Sequence, residues 1–241
     1  MRHEKSYMEK VSSMGIMLKA IFVDFDGTFI DSLPALWKCY RLFLSHQGIE
    51  GEKEEFISLM GPPINEIVAI LKQKHHLKAS TESLVQEYHS IVEAAYATNA
   101  LPFPWAVEIL KSQKAKGISL AIVTSAYPAV VEKVLEFHGI ENLFDVIFGS
   151  REGEPHKPDP AIYRRALHAF GLEPNQAIAI EDSQNGLRSA MEAGIPTIAF
   201  TPDSQTFAAL PKDPTKIFQA SSWQDIGRLL TDRRHRCQEC Q

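Results

Sequence analysis

The chain has 241 residues, 44% of them hydrophobic and 23% charged, with a formal net charge of -5. This composition is ordinary for a soluble globular protein, and the negative charge argues against a nucleic-acid-binding surface. No apolar run approaches the ~18 residues that a membrane span needs. We expect a cytoplasmic protein, a monomer or weak homodimer, that contacts neither nucleic acid nor membrane.

The first predicted element is a buried strand at 18–24, "LKAIFVD". From 32 to 99 the apolar residues then recur at helical spacing only. Gly48 is a helix C-cap signal, and Ser80 or Thr81 is suited to an N-cap. The pattern predicts a helical insertion of roughly 70 residues directly after the first strand.

Beyond residue 105, short apolar strands alternate with amphipathic helices. One helix is predicted in "DPAIYRRALHAFG", with Asp159 as its N-cap and Pro160 at its first position. Such alternation is typical of a parallel sheet covered on both faces. The predicted fold class is therefore α/β, a doubly wound parallel sheet with an inserted α-helical cap domain. The predicted strands are "ISLAIVT", "FDVIFG", "AIAIE", "PTIAF" and, near the C-terminus, "KIFQA" before a helix in "SWQDIGRLL".

These patterns predict four parts of the chain. The N-terminal residues carry charges but no apolar core, which indicates an extension rather than a signal peptide. The C-terminal C-x-x-C of Cys237 and Cys240 has, with His235, at most three metal ligands, so we expect a reduced, flexible tail. The predicted parts are an extension at 1–17, a core domain at 18–30 and 103–230, a cap domain at 31–102 and a tail at 231–241.

Polar side chains follow four of the predicted strands. In an open parallel sheet, ligands bind beyond the carboxyl ends of the strands, so these side chains are expected to converge at one edge. The acids would repel one another and raise each other's pKa. A divalent cation resolves that conflict, and all-oxygen ligands suit Mg²⁺. The residues are Asp24, Asp26, Thr124, Ser125, Lys157, Glu181 and Asp182.

Each of these residues also has a purely structural interpretation. A D-x-D pair is compatible with a turn, and Lys157 with a surface charge. Thr124 and Ser125 are compatible with a helix cap, as are Glu181 and Asp182. For Thr124, Ser125 and Lys157 taken singly, the structural role is the commoner one; the convergence of all four strand ends favours a functional site.

The four segments together resemble the motifs of the haloacid dehalogenase-like hydrolases. The matching segments are D-x-D-G-T at 24–28, Thr-Ser at 124–125, Lys157 in "KPDP", and "EDSQNG" at 181–186. They occur in the order of that family over about residues 18–202. The helical insertion resembles the cap of subfamily IA, which contains phosphoglycolate phosphatase and β-phosphoglucomutase.

The resemblance implies a role for each matched residue. Asp24 would be the nucleophile that forms an aspartyl-phosphate, and Asp26 the general acid and base. Mg²⁺ would be held by Asp24, the main-chain carbonyl of Asp26 and Asp182, with Glu181 reaching the metal through a second shell. Lys157 would supply a fixed positive charge against the nucleophile and would bind the phosphoryl oxygens.

Phosphate oxygens would be held by the Thr124 hydroxyl and the N–H groups of Ser125 and Ala126. Thr28 is expected to bond locally and hold the turn after Gly27, and the resemblance places it with Glu181 in the second shell of the metal. In the cap, Ile64 and Asn65 in "GPPINEI" are expected to approach the substrate, unless this stretch is a simple helix–helix turn. Our hypothesis for Asn65 is that its side chain contacts the substrate.

Some branches of the family fit the residues less well. Dehalogenases and phosphonatases lack the second aspartate, which is Asp26 here. A phosphosugar mutase is disfavoured by "SLPAL" at 32–36, which lacks the polar and His pattern expected there. The preferred prediction is an Mg²⁺-dependent phosphatase of a small phosphate ester; a mutase and a non-catalytic binding protein stay as alternatives. Trp105 departs from the glycine usual at the return from the cap, and we expect it to pack against the cap.

Overall fold

The structure is a computed structural model that describes residues 18–59, 62–151, 153–202 and 217–231. Its main feature is a six-stranded parallel sheet in the order β5-β4-β1-β6-β7-β8. The predicted fold class is therefore confirmed. The strands are β1 Ala20–Val23, β4 Ser119–Val123, β5 Val146–Phe148, β6 Ala177–Glu181, β7 Thr197–Phe200 and β8 Ile217–Ala220.

The first strand lies in the middle of the sheet. β1 pairs with β4 on one side and β6 on the other, so that Ala20 lies opposite Ser119 and Ala177. All four of its residues are buried, as expected for a strand covered on both faces. This position places whatever follows β1 between the ends of its two neighbours.

Helices cover both faces of the sheet. Leu110, Val134 and Ile226 point into the core on one side, and Ile162 and Ala190 on the other. The core helices are α5 Ala106–Lys114, α6 Pro128–Phe137, α7 Ala161–Phe170, α8 Gln184–Glu192 and α9 Trp223–Thr231, with a 3-10 turn at Pro174–Gln176.

In the part of the chain that the structure describes, four helices lie between residues 32 and 100 and form the cap. Two short strands connect it to the sheet domain, pairing antiparallel with Ile30 opposite Pro102 and Asp31 opposite Leu101. The domain boundaries at 31 and 102 stay a prediction. The cap elements are β2 Ile30–Asp31, α1 Leu33–His46, α2 Lys53–Ser58, α3 Ile64–His75, α4 Thr81–Asn99 and β3 Leu101–Pro102.

The cap contains a buried polar cluster of its own. The carboxylate of Glu55 accepts a hydrogen bond from the hydroxyl of the fully buried Tyr40. It also contacts Lys74 Nζ at 2.8 Å and His75 Nε2 at 2.9 Å. These contacts join α1, α2 and α3.

One helix start differs slightly from its prediction, and another agrees with one of its two predicted N-caps. The helix at 161 begins one residue later than predicted, with Pro160 in the N-cap position, while Asp159 accepts from the N–H of Ala161 at 2.8 Å. Ser80, rather than Thr81, accepts a hydrogen bond from Ser83 at the start of α4. Differences of one residue are common at helix ends.

Trp105 has an unusual backbone conformation at the return from the cap. It precedes α5 with φ +72°, a left-handed conformation in which bulky residues are outliers. The residue is 55% exposed, and its packing against the cap stays a prediction. A glycine would adopt this backbone conformation without strain.

Some predictions fall outside the described residues. These include the extension at 1–17, Cys237 and Cys240, and nearly all of the tail. Within the part of the chain that is described, no helix is long and apolar enough to cross a bilayer.

Candidate active site

The two aspartates after β1 lie at the centre of the sheet edge. The N–H of Asp24 continues the pairing with β6 by donating to Ile180 O at 3.0 Å, and its side chain is largely buried. The chain then turns tightly, with Gly27 N donating to Ile30 O at 2.9 Å. One carboxylate oxygen of Asp26, Oδ1, is buried with no hydrogen-bond partner among the described residues.

Gly27 is required at this turn for two reasons. Its φ is +76°, and a Cβ added to it would lie 2.0 Å from Oδ2 of Asp182. The hydroxyl of Thr28 donates to the other oxygen of Asp182, Oδ1, at 3.1 Å. Thr28 therefore contacts a residue 154 positions away, so the predicted local bond is wrong. The turn after β1 therefore packs directly against the carboxylate of Asp182, which follows β6.

Lys157 connects three strand ends. Its Nζ donates to Asp24 Oδ1 at 2.7 Å, to Val123 O at 2.8 Å and to Glu181 Oε1 at 2.7 Å. An ammonium has three protons, so all of them have acceptors. Because β1, β4 and β6 are adjacent strands, the lysine is held in one place, and a simple surface charge is excluded.

Glu181 is fully buried at the end of β6. Its Oε1 accepts from Lys157 and from the hydroxyl of Tyr163 at 2.5 Å. Tyr163 was not predicted as a site residue. Its position on the apolar face of α7 with a polar tip is the only sequence signal, and that signal does not identify the acceptor.

The end of β4 supplies hydroxyl and amide groups. Thr124 Oγ1 accepts from the N–H of Ala126 at 3.1 Å, as in the capping interpretation. The carbonyl of Ser125 accepts from Ser150 Oγ at 2.7 Å. This loop is thus fastened to the end of β5, and the amide of Ala126 has a protein partner in this structure.

The site carries more negative than positive charge. Burial, and then the charges of Asp24 and Glu181, raise the pKa of Asp182 well above its usual range. Burial and Asp24 likewise raise the pKa of Asp26 to about 7; Ser32 opposes this shift, although its hydroxyl is outside hydrogen-bond geometry. Burial also raises the pKa of Glu181 to about 7, against the opposing charge of Lys157.

Lys157 is the cation that contacts these carboxylates. Burial alone would lower the pKa of Lys157, but Asp24 and Glu181 outweigh burial and raise it. Burial and the charge of Glu181 raise the pKa of Tyr163 well above its usual value, so its hydroxyl stays a donor.

A metal cation fits this arrangement. Asp24, Glu181 and Asp182 each offer a carboxylate oxygen, and these oxygens lie within 4.8 Å of one another. The all-oxygen donor set points the same way, because hard divalent cations prefer oxygen ligands. The acidic cluster is therefore suited to a metal-dependent reaction.

Asn65 lies in the cap, outside the four sequence motifs of the site. It lies in the first turn of α3, and its side chain is exposed. Residues 60 and 61, which precede this turn, lie outside the described part of the chain. Contact between Asn65 and a substrate stays a prediction.

Comparison with known proteins gives consistent matches over most of the chain. The family profile described as haloacid dehalogenase-like hydrolase matches residues 21–200. Fructose-1-phosphate phosphatase YqaB of Escherichia coli is 25% identical, over 74% of this chain and 94% of that protein. A phosphoglycolate phosphatase of Haemophilus influenzae is 30% identical, over 78% of this chain and 88% of that protein.

A solved structure shows the same architecture. CbbY from Rhodobacter sphaeroides, crystallised with phosphate, superposes with a TM-score of 0.75 at 26% identity. The match covers 88% of this chain and 97% of that one, so cap and sheet domain are both included.

Proposed function

This chain belongs to the haloacid dehalogenase-like hydrolase family and is one of its phosphatases, and we propose that it cleaves a small-molecule phosphomonoester through Asp24 with Mg²⁺. The observation that carries this proposal is the position of Lys157. It holds the carboxylate of Asp24 at the meeting point of three strand ends. A buried nucleophile fixed beside a cation is what an attack on a phosphate dianion requires.

The first half of the reaction forms a covalent intermediate. A carboxylate oxygen of Asp24 attacks phosphorus, and the bond from phosphorus to the leaving alcohol breaks. Asp26 gives its proton to the leaving oxygen. The buried, unpartnered Oδ1 of Asp26 supports this role, because no protein group competes for that oxygen among the described residues.

The second half returns the enzyme to its starting state. Asp26, now a carboxylate, takes a proton from water, and the water oxygen attacks phosphorus. The bond between Asp24 and phosphorus breaks, which releases inorganic phosphate and restores the Asp24 carboxylate. Lys157 offsets the negative charge on Asp24 in both halves.

Mg²⁺ would be held by Asp24, the main-chain carbonyl of Asp26 and Asp182. When bound, it supplies positive charge against the carboxylates and the phosphate oxygens. Thr28 supports this role by holding Asp182 through its hydroxyl. Thr124, Ser125 and Ala126 would bind the phosphoryl oxygens; for Ala126 this requires its N–H to leave Thr124 Oγ1.

Sugar phosphates and phosphoglycolate are the substrates we propose to test first. The relatives' names provide this choice: fructose 1-phosphate for the Escherichia coli protein and phosphoglycolate for the Haemophilus influenzae protein. We propose that the cap selects among such esters, with Asn65 contacting the part of the substrate beyond the phosphate.

The test is phosphate release from a panel of both substrate types, with Mg²⁺ or EDTA. We expect release that EDTA abolishes and that Asp24→Asn, an isosteric change, lacks. Release that survives in Asp24→Asn contradicts the nucleophile. Isomerisation of a sugar phosphate without release of phosphate would establish a mutase instead.

A further inference from the structure

Tyr163 touches the catalytic arrangement without belonging to any of its sequence motifs. Its hydroxyl donates to Glu181 Oε1 at 2.5 Å, and the same oxygen accepts from Lys157 at 2.7 Å. The ring centroid of Tyr163 lies 5.5 Å from Lys157 Nζ. Tyr163 therefore contacts both the lysine and the carboxylate that holds it.

We propose that Tyr163 is a positioning residue, which fixes Glu181 so that Lys157 stays aligned with Asp24. The inference rests on the proposed function, because it assumes that the contact between Lys157 and Asp24 serves the reaction. It concerns the hydroxyl rather than the ring. The ring fills a fully buried position under the sheet, as a phenylalanine would also do.

Glu181 needs an external restraint because only one of its oxygens is bound. Within the described residues, Oε2 has no hydrogen-bond partner, although it is buried. On that side the carboxylate lies against Gly186, where an added Cβ would come within 1.8 Å of Oε2. The carboxylate is thus held between the Tyr163 hydroxyl and the bare α-carbon of Gly186.

The position of Glu181 determines the position of Lys157. The lysine has three acceptors: Asp24 Oδ1, the carbonyl of Val123, and Glu181 Oε1. The carbonyl of Val123 is fixed by β4, and the carboxylate of Asp24 forms and breaks a bond to phosphorus in the proposed reaction. Glu181 is the only one of the three that is an anionic side chain without a proposed chemical step. A shift of its carboxylate changes the distance from Lys157 to the nucleophile.

Such a shift affects turnover more than substrate affinity. Misplacing a catalytic group by about 1 Å costs up to roughly 10²-fold in rate. The hydroxyl of Tyr163 donates to Glu181, which lies outside the cap and outside the loop after β4, the two parts that would bind the substrate. We therefore expect Tyr163→Phe to lower kcat about 10- to 100-fold while KM stays within about twofold.

The matched control is Tyr40→Phe in the cap. Tyr40 is also fully buried and also donates from its hydroxyl to a buried glutamate, Glu55. Both changes remove one buried hydroxyl donor from a carboxylate, so the control shares the loss of a buried hydrogen bond but lies away from the sheet edge. We expect kcat of Tyr40→Phe to stay within about twofold of the unchanged protein.

A double-mutant cycle with Glu181→Gln separates positioning from a general loss of structure. If Tyr163 acts through Glu181, adding Tyr163→Phe to Glu181→Gln lowers kcat by less than about twofold. Equal losses in both backgrounds would overturn the proposal. So would a kcat of Tyr163→Phe within twofold of the unchanged protein, or a loss shared equally by Tyr40→Phe.

The outcomes for the proposed function are separate. If Asp24→Asn is inactive and Tyr163→Phe is fully active, the inference fails and the proposed function stands. If Asp24→Asn is active, the proposed function fails. If Tyr163→Phe does not fold, Gly186→Ala displaces the same carboxylate from its other side: a fall in kcat at constant KM supports the proposal, and an unchanged kcat overturns it.

Discussion

Lys157 Nζ lies 2.7 Å from Asp24 Oδ1, and the two side chains are only 5% and 10% exposed. They are 133 residues apart in the chain. An ion pair this deeply buried is costly to assemble and weak as a source of stability. Its position at the ends of three adjacent strands instead favours a role in the chemistry.

Replacing Lys157 should therefore affect turnover most. We expect Lys157→Met to lower kcat by about 10²- to 10³-fold, because a charged donor to the reacting group is lost. Steady-state phosphate release measures the change. Lys133→Met, which removes an exposed lysine paired with Glu93, is the control and should leave kcat unaltered. Equal activity in the two variants would refute the role of Lys157.

Gly27→Ala should damage the site through the added methyl group. The Cβ would overlap Asp182 Oδ2, so we expect a fall in Mg²⁺ affinity, measured by calorimetry, and in kcat. Gly117→Ala separates this effect from backbone strain: its φ is +80°, but a Cβ there meets nothing within 4 Å. The control should lose about 1 kcal/mol of stability and no metal affinity. Normal Mg²⁺ binding by Gly27→Ala would contradict the overlap.

Mg²⁺ should stabilise the folded protein without any substrate. The cation relieves repulsion among buried carboxylates, and binding only to the folded state stabilises by about 2.7 kcal/mol at 100 times the dissociation constant. We expect Tm to rise with Mg²⁺ and to fall again with EDTA. Asp182→Asn should abolish the rise, while Glu141→Gln, at an exposed acid, should keep it. A Tm insensitive to Mg²⁺ would count against the metal site.

The cap cluster predicts a pH dependence of stability. Burial opposes ionisation of Glu55, but the contacts with Lys74, Tyr40 and His75 outweigh it and lower the pKa below the ordinary 4.5. A folded-state pKa below the unfolded value contributes stability above about pH 4.5 that is lost as the pH falls through the folded pKa.

Urea unfolding of Glu55→Gln at pH 7 and pH 3 tests this directly. The free energy of unfolding of the variant should be roughly 1–3 kcal/mol lower than that of the unchanged protein at pH 7. At pH 3 the difference should shrink. A difference that is the same at both pH values would show that the ionised carboxylate does not contribute.

The parts of the site that could be predicted are those that follow buried strands. Asp24 and Glu181 stand directly after runs of apolar residues, and the topology of a parallel sheet brings such ends to one edge. Lys157 was predicted from its motif, and no periodicity indicated its three acceptors. The family resemblance, confirmed by the comparisons, supplied the roles.

The parts that could not be predicted depend on tertiary contacts. Thr28 contacts Asp182 rather than its own turn because β1 and β6 are neighbouring strands, and Tyr163 contacts Glu181 because α7 packs against the sheet. Local sequence contains no information about that packing. The left-handed backbone of Trp105 was missed for a related reason, since a bulky residue rarely adopts it unless the surrounding structure imposes it.

The central claim is that phosphate is transferred to Asp24. The most direct measurement is rapid quenching during turnover of a hydrolysed ester, reduction of the quenched protein with borohydride, and peptide mass mapping. The account predicts that the carboxyl group of Asp24 is reduced to an alcohol, that substrate is required, and that Asp26 and Asp182 are unmodified. Reduction at a different carboxylate, or none at Asp24 while phosphate is being released, would contradict the account.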